Sequence, residues 1–486
     1  MTVGVTTLAI LAEIPAGHKV ALCEIPEGQP VVKFGHTIGY ASEDIAAGDW
    51  VHVHNVHATK PGLDYQFSTE IRDPVPPDEQ RFFNGYRRPD GRCGTRNYVA
   101  IVSTVNCSAT TARYVANELV QTSLADYPNI DGIVAVVHKG GCAMGFGDSD
   151  HTLLNRTLAG FVNHPNVAVA LVIGLGCETA QAGYLQQQHS LVQLEVSQDG
   201  ATQPMVLNIQ DVGGVRKTVD RAVGVLGELL PLANDVVREP IPISELKVAL
   251  ECGGSDGNSG VTANPAVGAA ADLLVSHGGT VILSETPEMY GAEHLLTRRA
   301  ISREVGEQLL DRIRWWEDYA RRYDVTINNN PSVGNKTGGL TTIFEKSLGA
   351  ITKGGTSPLR AVYRYAEPIV ESGFVIMDSP GFDPTSVTGK VASGAQIVVF
   401  TTGRGSCFGC KPSPTIKVAT NTPMFRRMAD DMDVNAGTIL EGESVASVGE
   451  RIFERIITTA SGEPTLSESQ GIGDEEFSPW QPGPVF

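Results

Sequence analysis

The chain has 486 residues, 41% of them hydrophobic, a net charge of −18 and a mean hydropathy near zero. That length exceeds one compact core, so two or three domains are expected. No apolar run approaches the ~20 residues that span a bilayer. Diffuse acidity without a basic face argues against nucleic acid.

The first twenty residues, MTVGVTTLAILAEIPAGHKV, have no basic start and no small-residue cleavage site. A cytoplasmic protein is expected. In such a chain, eight cysteines read as free thiols, ligands or nucleophiles rather than a disulfide framework. Residues 1–72 read as all-β, because KVALCEI, PVVKFGHTIGYA and DWVHVHNV are short strand-like runs broken by Gly and Pro. Alternation in VHVHN predicts His52 and His54 on one face of a strand. STEIRDPVPPDEQRF is proline-rich and polar and reads as a linker.

From 80 to 240 the pattern turns α/β. Apolar strands are predicted near 98–104, 132–137 and 167–173, alternating with helices over TARYVANELVQTSL and VRKTVDRAVGVLGELLPLAND. A second α/β unit, 241–486, opens with the strand LKVALECGG, the helix PAVGAAADLLVSHGG and the strand TVILSE. A helical stretch is expected from Ala292 to Tyr323. GFVIMDSP, AQIVVFTTGRG and TIKVAT read as further strands, and the tail after Ser461 as irregular. The fold class is therefore a small all-β domain followed by a Rossmann-like α/β region of mostly parallel sheets in two units.

Cys107, Cys142, Cys177 and Cys252 each follow a β-branched run. In a parallel sheet such positions open onto the ligand crevice. Four thiols at one crevice suit an iron–sulfur cluster, zinc or thiolate-bound iron, whereas buried cysteines at tight turns need no ligand at all. His52 and His54, with His18 nearby in sequence, can bind a divalent metal. Cys407-x-x-Cys410 lacks a thioredoxin-like context. The loops ECGGSDGNSGVTANP and NPSVGNKTGGL offer backbone N–H groups and small polar side chains for carboxylates or hydroxyls. Neither a Walker A nor a dinucleotide fingerprint is present. Lys336, Lys353 and Arg404 lie in Gly-rich loops where a cation can clamp a carboxylate.

Together GHKVAL, VVKFGHTIGYA, VHVHN, GYRRPDGRCGTRNY, HPNV, IGLGCE, ECGGSDGNSGVTANPAVG, NPSVGNKTGGLTT, EKSLGAITKGGTSPL and FTTGRG resemble the altronate/galactarate dehydratase family of sugar-acid hydro-lyases. The resemblance implies an N-terminal β-clip domain of the SAF type, a ferrous or similar divalent ion (Fe2+ or Mn2+), and loss of water from a hexonate or hexarate to give a 2-keto-3-deoxy acid. It carries over His18, His52, His54, Cys107, Cys142, Cys177, Glu178, Cys252, Asp256, Lys336 and Arg404. This chain differs in having Gly140 where relatives often have Tyr and GRGSCFGC in place of a Thr-Pro-Tyr-Gly run.

On that footing, His52 and His54 are expected on the metal with one or more of Cys107, Cys142, Cys177 and Cys252. His18, His138 and Lys336 are the catalytic candidates, His18 or His138 as acid or base. Lys336, Lys353 and Arg404 would hold the carboxylate, and Ser255, Asp256 and Asn335 the hydroxyls. An iron–sulfur cluster is the alternative cofactor. A small sugar acid is the expected partner, with no nucleic acid, no membrane and a homodimer as the candidate assembly. D-altronate is the leading substrate, galactarate the runner-up and sulfolactate, losing sulfite, the more distant alternative. A non-catalytic metal or thiol sensor is the reading from a different class.

Overall fold

The computed structural model describes residues 2–3, 6–189, 191 and 205–483. Seven short strands lie among the described residues up to His57. β1 (Thr2–Val3) pairs with β2 (Thr6–Thr7), and β3 (Lys19–Val20) is followed by the hairpin β4 (Pro30–Lys33) and β5 (His36–Ala41). β6 (Trp50–Val51) returns to pair with β3, and β7 (Val56–His57) pairs with β5. Val31, Ile38, Ile45, Val51 and Val56 are buried and continuous with the apolar core of the rest of the chain.

The strand expected to carry His52 and His54 on one face ends instead at Val51. Asn55 is the cause. Its Oδ1 accepts the His52 N–H at 2.9 Å, its Nδ2 donates to the Trp50 carbonyl at 2.9 Å, and the backbone closes a turn. Both histidines therefore sit in that turn.

After a segment without helix or strand, β8 (Phe82–Arg87) and β9 (Cys93–Gly94) lead into a parallel sheet of β10 (Tyr98–Ser103), β11 (Gly132–Val136), β12 (Val167–Gly174) and β13 (Met205–Asn208). Its order is β11-β10-β12-β13. β14 (Glu239–Pro242) runs back antiparallel to β8. A larger parallel sheet follows, formed by β15 (Lys247–Cys252), β16 (Thr280–Leu283), β17 (Leu359–Tyr363), β18 (Gly373–Met377), β19 (Ile397–Thr402), β20 (Thr415–Ala419) and β21 (Val434–Asn435). Its order is β17-β18-β16-β15-β19-β20-β21. The strands expected from apolar runs are present in both sheets. The full burial of β10, β12, β15 after Lys247, and β18–β20 explains why they are apolar throughout.

The two sheets share one core. Helix Ser149–Val162 and helix Asp383–Ala392 pack together between them, and Val102, Leu158, Val172, Val387, Val398 and Phe400 belong to one cluster. The helix expected across 292–323 is broken into Glu293–Arg298 and Arg303–Arg322. Ala300 bridges to Leu359, and Ser302 caps the second helix by accepting from the Val305 N–H. The tail is largely irregular, as expected, but it carries the short helix Leu466–Ser469 and is pinned. Trp480 stacks on Trp316 at 5.4 Å, and the Gly483 N–H bonds the Asp150 carboxylate.

The topology splits the cysteines. Cys107, Cys142 and Cys177 follow β10, β11 and β12 of the smaller sheet, while Cys252 closes β15 of the larger one. The single crevice with four thiols expected from sequence does not exist.

Candidate active site

In the larger sheet the chain leaves β15 for β16 on one side and later returns to β19 on the other. The gap between the carboxyl ends of β15 and β19 is the switch point, where such sheets bind ligands. Two loops meet there. Gly254 adopts φ +61° and its carbonyl accepts the N–H groups of Gly403 and Arg404 at 3.1 and 2.8 Å. Asp256 lies beneath. Its carboxylate accepts from Thr420 Oγ1, Ser259 Oγ, the Asn258 N–H and Asn421 Nδ2 at 3.0–3.2 Å. Burial pushes its pKa up and these donors oppose the rise. Asp256 thus ties loops together, and its oxygens are spoken for. Asn335 is used in the same way, giving Nδ2 to the Ser255 carbonyl and receiving the Ser332 N–H on Oδ1. The expectation that these two side chains bind substrate hydroxyls gives way to a structural role, because their hydrogen-bonding capacity is largely committed. Ser255 lines the cavity. Lys336 is half-buried and Arg404 is exposed, both beside this loop cluster.

The N-terminal module closes over the crevice. Thr337 accepts from His18 Nε2 at 3.2 Å, and Trp50 Nε1 donates to His18 Nδ1 at 3.1 Å, which assigns the His18 proton to Nε2. Trp50 stacks on His52 at 5.2 Å and faces His54 at 5.2 Å, and the rings of His18 and His52 are 4.8 Å apart. Burial, then the charges of His18 and Lys19, push His52 down to about 4, so its ring is neutral. Its Nδ1 is buried and has no hydrogen-bond partner.

Glycine makes this approach close. A Cβ on Gly257 would lie 2.0 Å from the Gly17 carbonyl oxygen. We expect Gly257→Ala to push the His18 segment off the crevice and lower turnover about 100-fold, the cost of a misplacement near 1 Å. Thermal unfolding should move little. Unchanged kcat in this variant would show that the His18 contact has no bearing on catalysis.

Under the module, Lys19 and Lys33 both bind Glu345, at 2.9 and 2.8 Å. A narrow gap of about 10 Å³, room for roughly one water, opens here, lined among others by Lys33, Cys252, Ser255, Glu345 and Lys346. That volume is far below the size of a ligand site. Its floor is a charged cluster that sequence reasoning missed. Cys252 Sγ lies 3.5 Å from Glu285 and 3.3 Å from Glu288. Lys353 pairs with Glu285 at 3.0 Å and Lys346 with Glu288 at 2.6 Å. Behind them Lys390 pairs with Glu251. Burial and then Glu251 push Glu285 up to about 7, while burial and then Glu285 bring Asp383 to about 7. Burial drives the Cys252 thiol well up, so it is a neutral thiol.

These positions correct several expectations. Lys353 is fully buried against Glu285, so it neutralises the floor rather than clamping a substrate. His138 lies at the smaller sheet with Nε2 on the Ser103 carbonyl and Nδ1 receiving the Gly140 N–H, and burial pushes it down to about 4. Both its nitrogens are occupied, so it braces the backbone and does not share a centre with His18. Cys410 is buried and pushed up to about 12 by burial, while Cys407 is exposed.

The six predicted metal ligands are spread over the module turn, the smaller sheet and the larger sheet, and among the described residues no three ligand atoms within 4.8 Å of one another include His52, His54, Cys107, Cys142 or Cys177. Among the described residues, two sets of three ligand atoms lie within 4.8 Å of one another: Cys252, Glu285 and Glu288, and Glu251, Glu285 and Asp383. Lys346, Lys353 and Lys390 already pair with Glu288, Glu285 and Glu251, leaving only Asp383 without a lysine, so the floor does not suit a resident divalent ion. The neutral, orphaned His52 Nδ1 does suit one.

Three family models match in order. They are the altronate/galactarate dehydratase SAF domain over residues 2–59, the D-galactarate dehydratase/altronate hydrolase second domain over 85–234, and the D-galactarate/altronate dehydratase C-terminal domain over 243–485. The chain is 36% identical over 438 residues to altronate dehydratase of Bacillus subtilis (strain 168), covering 90% of this chain and 85% of that one. It is 38% identical over 485 residues to galactarate dehydratase (L-threo-forming) of Escherichia coli (strain K12), covering 98% and 92%. It is also 36% identical over 464 residues to the altronate dehydratase of Escherichia coli (strain K12), covering 95% and 91%. Fold, site and relatives together define a carbon–oxygen lyase of the hydro-lyase class. The chain belongs to the altronate/galactarate dehydratase family.

Proposed function

We propose that the protein removes water from a six-carbon sugar acid, a hexonate such as D-altronate in the first place and the hexarate galactarate in the second, giving a 2-keto-3-deoxy acid. The supporting observation is the set of three imidazoles, His18, His52 and His54, gathered around Trp50, with His18 seated on the loop that carries Lys336 and lies against Arg404 at the switch point. Arg404 and Lys336 supply the cations that a substrate carboxylate needs, Arg404 with a bidentate fork. His18 is assigned as the acid, for which its ring must take up a second proton and its Nε2–H must leave the Thr337 carbonyl when substrate enters. A ferrous or manganous ion is part of this reading, with His52 and His54 to hold it; such an ion polarises the substrate's oxygens and favours loss of the hydroxyl.

The test is an anaerobic assay of ferrous-loaded protein with altronate, galactarate and sulfolactate, reading keto acid and sulfite separately. One hexonate or hexarate should give keto acid. Sulfite from sulfolactate, with no keto acid from any sugar acid, would overturn the reading. For the assigned donor, His18→Phe should lower kcat by about 10²–10⁴ with little change in KM. An unchanged kcat would remove His18 from that role.

A further inference from the structure

The smaller sheet has a switch point of its own. The chain leaves β10 for β11 on one side and reaches β12 on the other, so the crevice opens between the ends of β10 and β12. Cys107 and Cys177 follow those two strands and Cys142 follows β11; all three are exposed.

The loops that carry them are bonded directly to one another. The Asn106 N–H donates to the Gly140 carbonyl at 3.0 Å, and the Ala180 N–H to the Gly141 carbonyl at 3.0 Å. Glu178 is buried, and its carboxylate receives Thr104 Oγ1 at 2.7 Å and the Leu175 and Gly176 N–H groups at 3.1 and 2.6 Å. A Cβ on Gly141 would fall 2.3 Å from the Thr104 carbonyl oxygen, so only glycine lets the Cys142 loop come this close. His138 braces the same loop against the end of β10. Three exposed thiols therefore sit on three loops tied to one another.

We propose that Cys107, Cys142 and Cys177 together bind an iron–sulfur cluster, with one iron left open to an oxygen ligand. A single tetrahedral ion would need its thiolates about 4 Å apart. Among the described residues no set of three ligand atoms within 4.8 Å includes these cysteines. Thiolates on separate irons of a cluster need not approach so closely. A [4Fe–4S]2+ cluster assembles from two ferrous ions, two ferric ions and four sulfides, each thiol giving up its proton, so the iron supplied carries the required oxidation state. The site is distinct from the cleft under the N-terminal module and does not depend on the substrate assigned there.

The full chain is reconstituted anaerobically with equal amounts of ferrous and ferric iron and with sulfide, desalted, and assayed for iron, acid-labile sulfide and visible absorbance. Iron and sulfide should be retained in comparable amounts, with a brown colour that bleaches in air. Cys107→Ser, Cys142→Ser and Cys177→Ser should each lose the sulfide, and Cys23→Ser should keep it. Alkylation mapping of the unsubstituted protein guards against variants that fail to fold: loading should protect these three thiols and leave Cys23 reactive. Absence of labile sulfide, or a cluster that leaves the three thiols reactive, would overturn the proposal.

Discussion

Glu345→Gln should destabilise the protein by about 3–5 kcal/mol, the cost of removing one partner from a buried ion pair. Glu345 is almost fully buried, and its carboxylate is the common partner of Lys19 and Lys33 from the N-terminal module. The same oxygens accept the Thr341 N–H and hydroxyl at 2.8 and 2.6 Å. Glutamine is nearly isosteric but leaves two ammonium groups facing a neutral amide. The module should then part from the larger sheet, so proteolysis near residues 58–64 should quicken and turnover should fall with it. Urea unfolding and limited proteolysis check both effects, and wild-type values in both would show that the triad does not hold the module.

The same carboxylate sets an acid limit. Burial alone would raise its pKa, but Lys19 and Lys33 outweigh it and pull the value from 4.5 down to about 2. A lowered folded-state pKa contributes stability that is fully present above the unfolded value and lost as pH falls through the folded one. The contribution, about 3 kcal/mol, should therefore disappear between roughly pH 4.5 and pH 2 in the wild type. It should be missing from the pH profile of Glu345→Gln.

The second large effect lies deeper. Lys353→Met should cost about 3–5 kcal/mol, because it leaves Glu285 without its cation among the carboxylates of Glu251, Glu288 and Asp383. Adding Glu285→Gln should restore much of that loss, since the double substitution no longer buries an unpaired charge. A double-mutant cycle measures the coupling. Additive losses from the two substitutions would mean that the ion pair is not the source of stability.

What was legible in the sequence follows from physical range. The parallel strands could be read because an apolar run such as Tyr98–Ser103 announces a strand covered on both faces. Glycine-rich loops after Cys252 and Thr402 could be placed at a crevice because parallel strands all end on one side. The turn at His52 could not be read from alternation alone. Asn55 overrides the strand pattern through two local hydrogen bonds, and that residue was the available signal. The charged floor was invisible for another reason. Glu285 and Lys353 are 68 positions apart, and Glu251 and Lys390 are 139 apart, so nothing local links them. A hint was nonetheless present in Glu251, a carboxylate inside the apolar run KVALEC, since a charge there requires a buried partner. The assignment of Lys353 and Asp256 to the substrate failed because residue type shows which bonds a group can make, not which are already made.

The segment between the module and the sheets has a consequence for how the cleft assembles. Tyr65 bonds Glu293 at 2.7 Å, Ser68 bonds Thr297 and Ala300, and the Glu70 N–H bonds Arg298. Only residues 58–64 separate this anchored stretch from β7, and Lys60 holds Glu317 within them. Seven extended residues reach about 25 Å at most. A module that lets go therefore stays within a short leash of its seat, at an effective concentration in the millimolar range. Re-docking is then a first-order event, and opening can be frequent without the two parts ever having to find each other in solution.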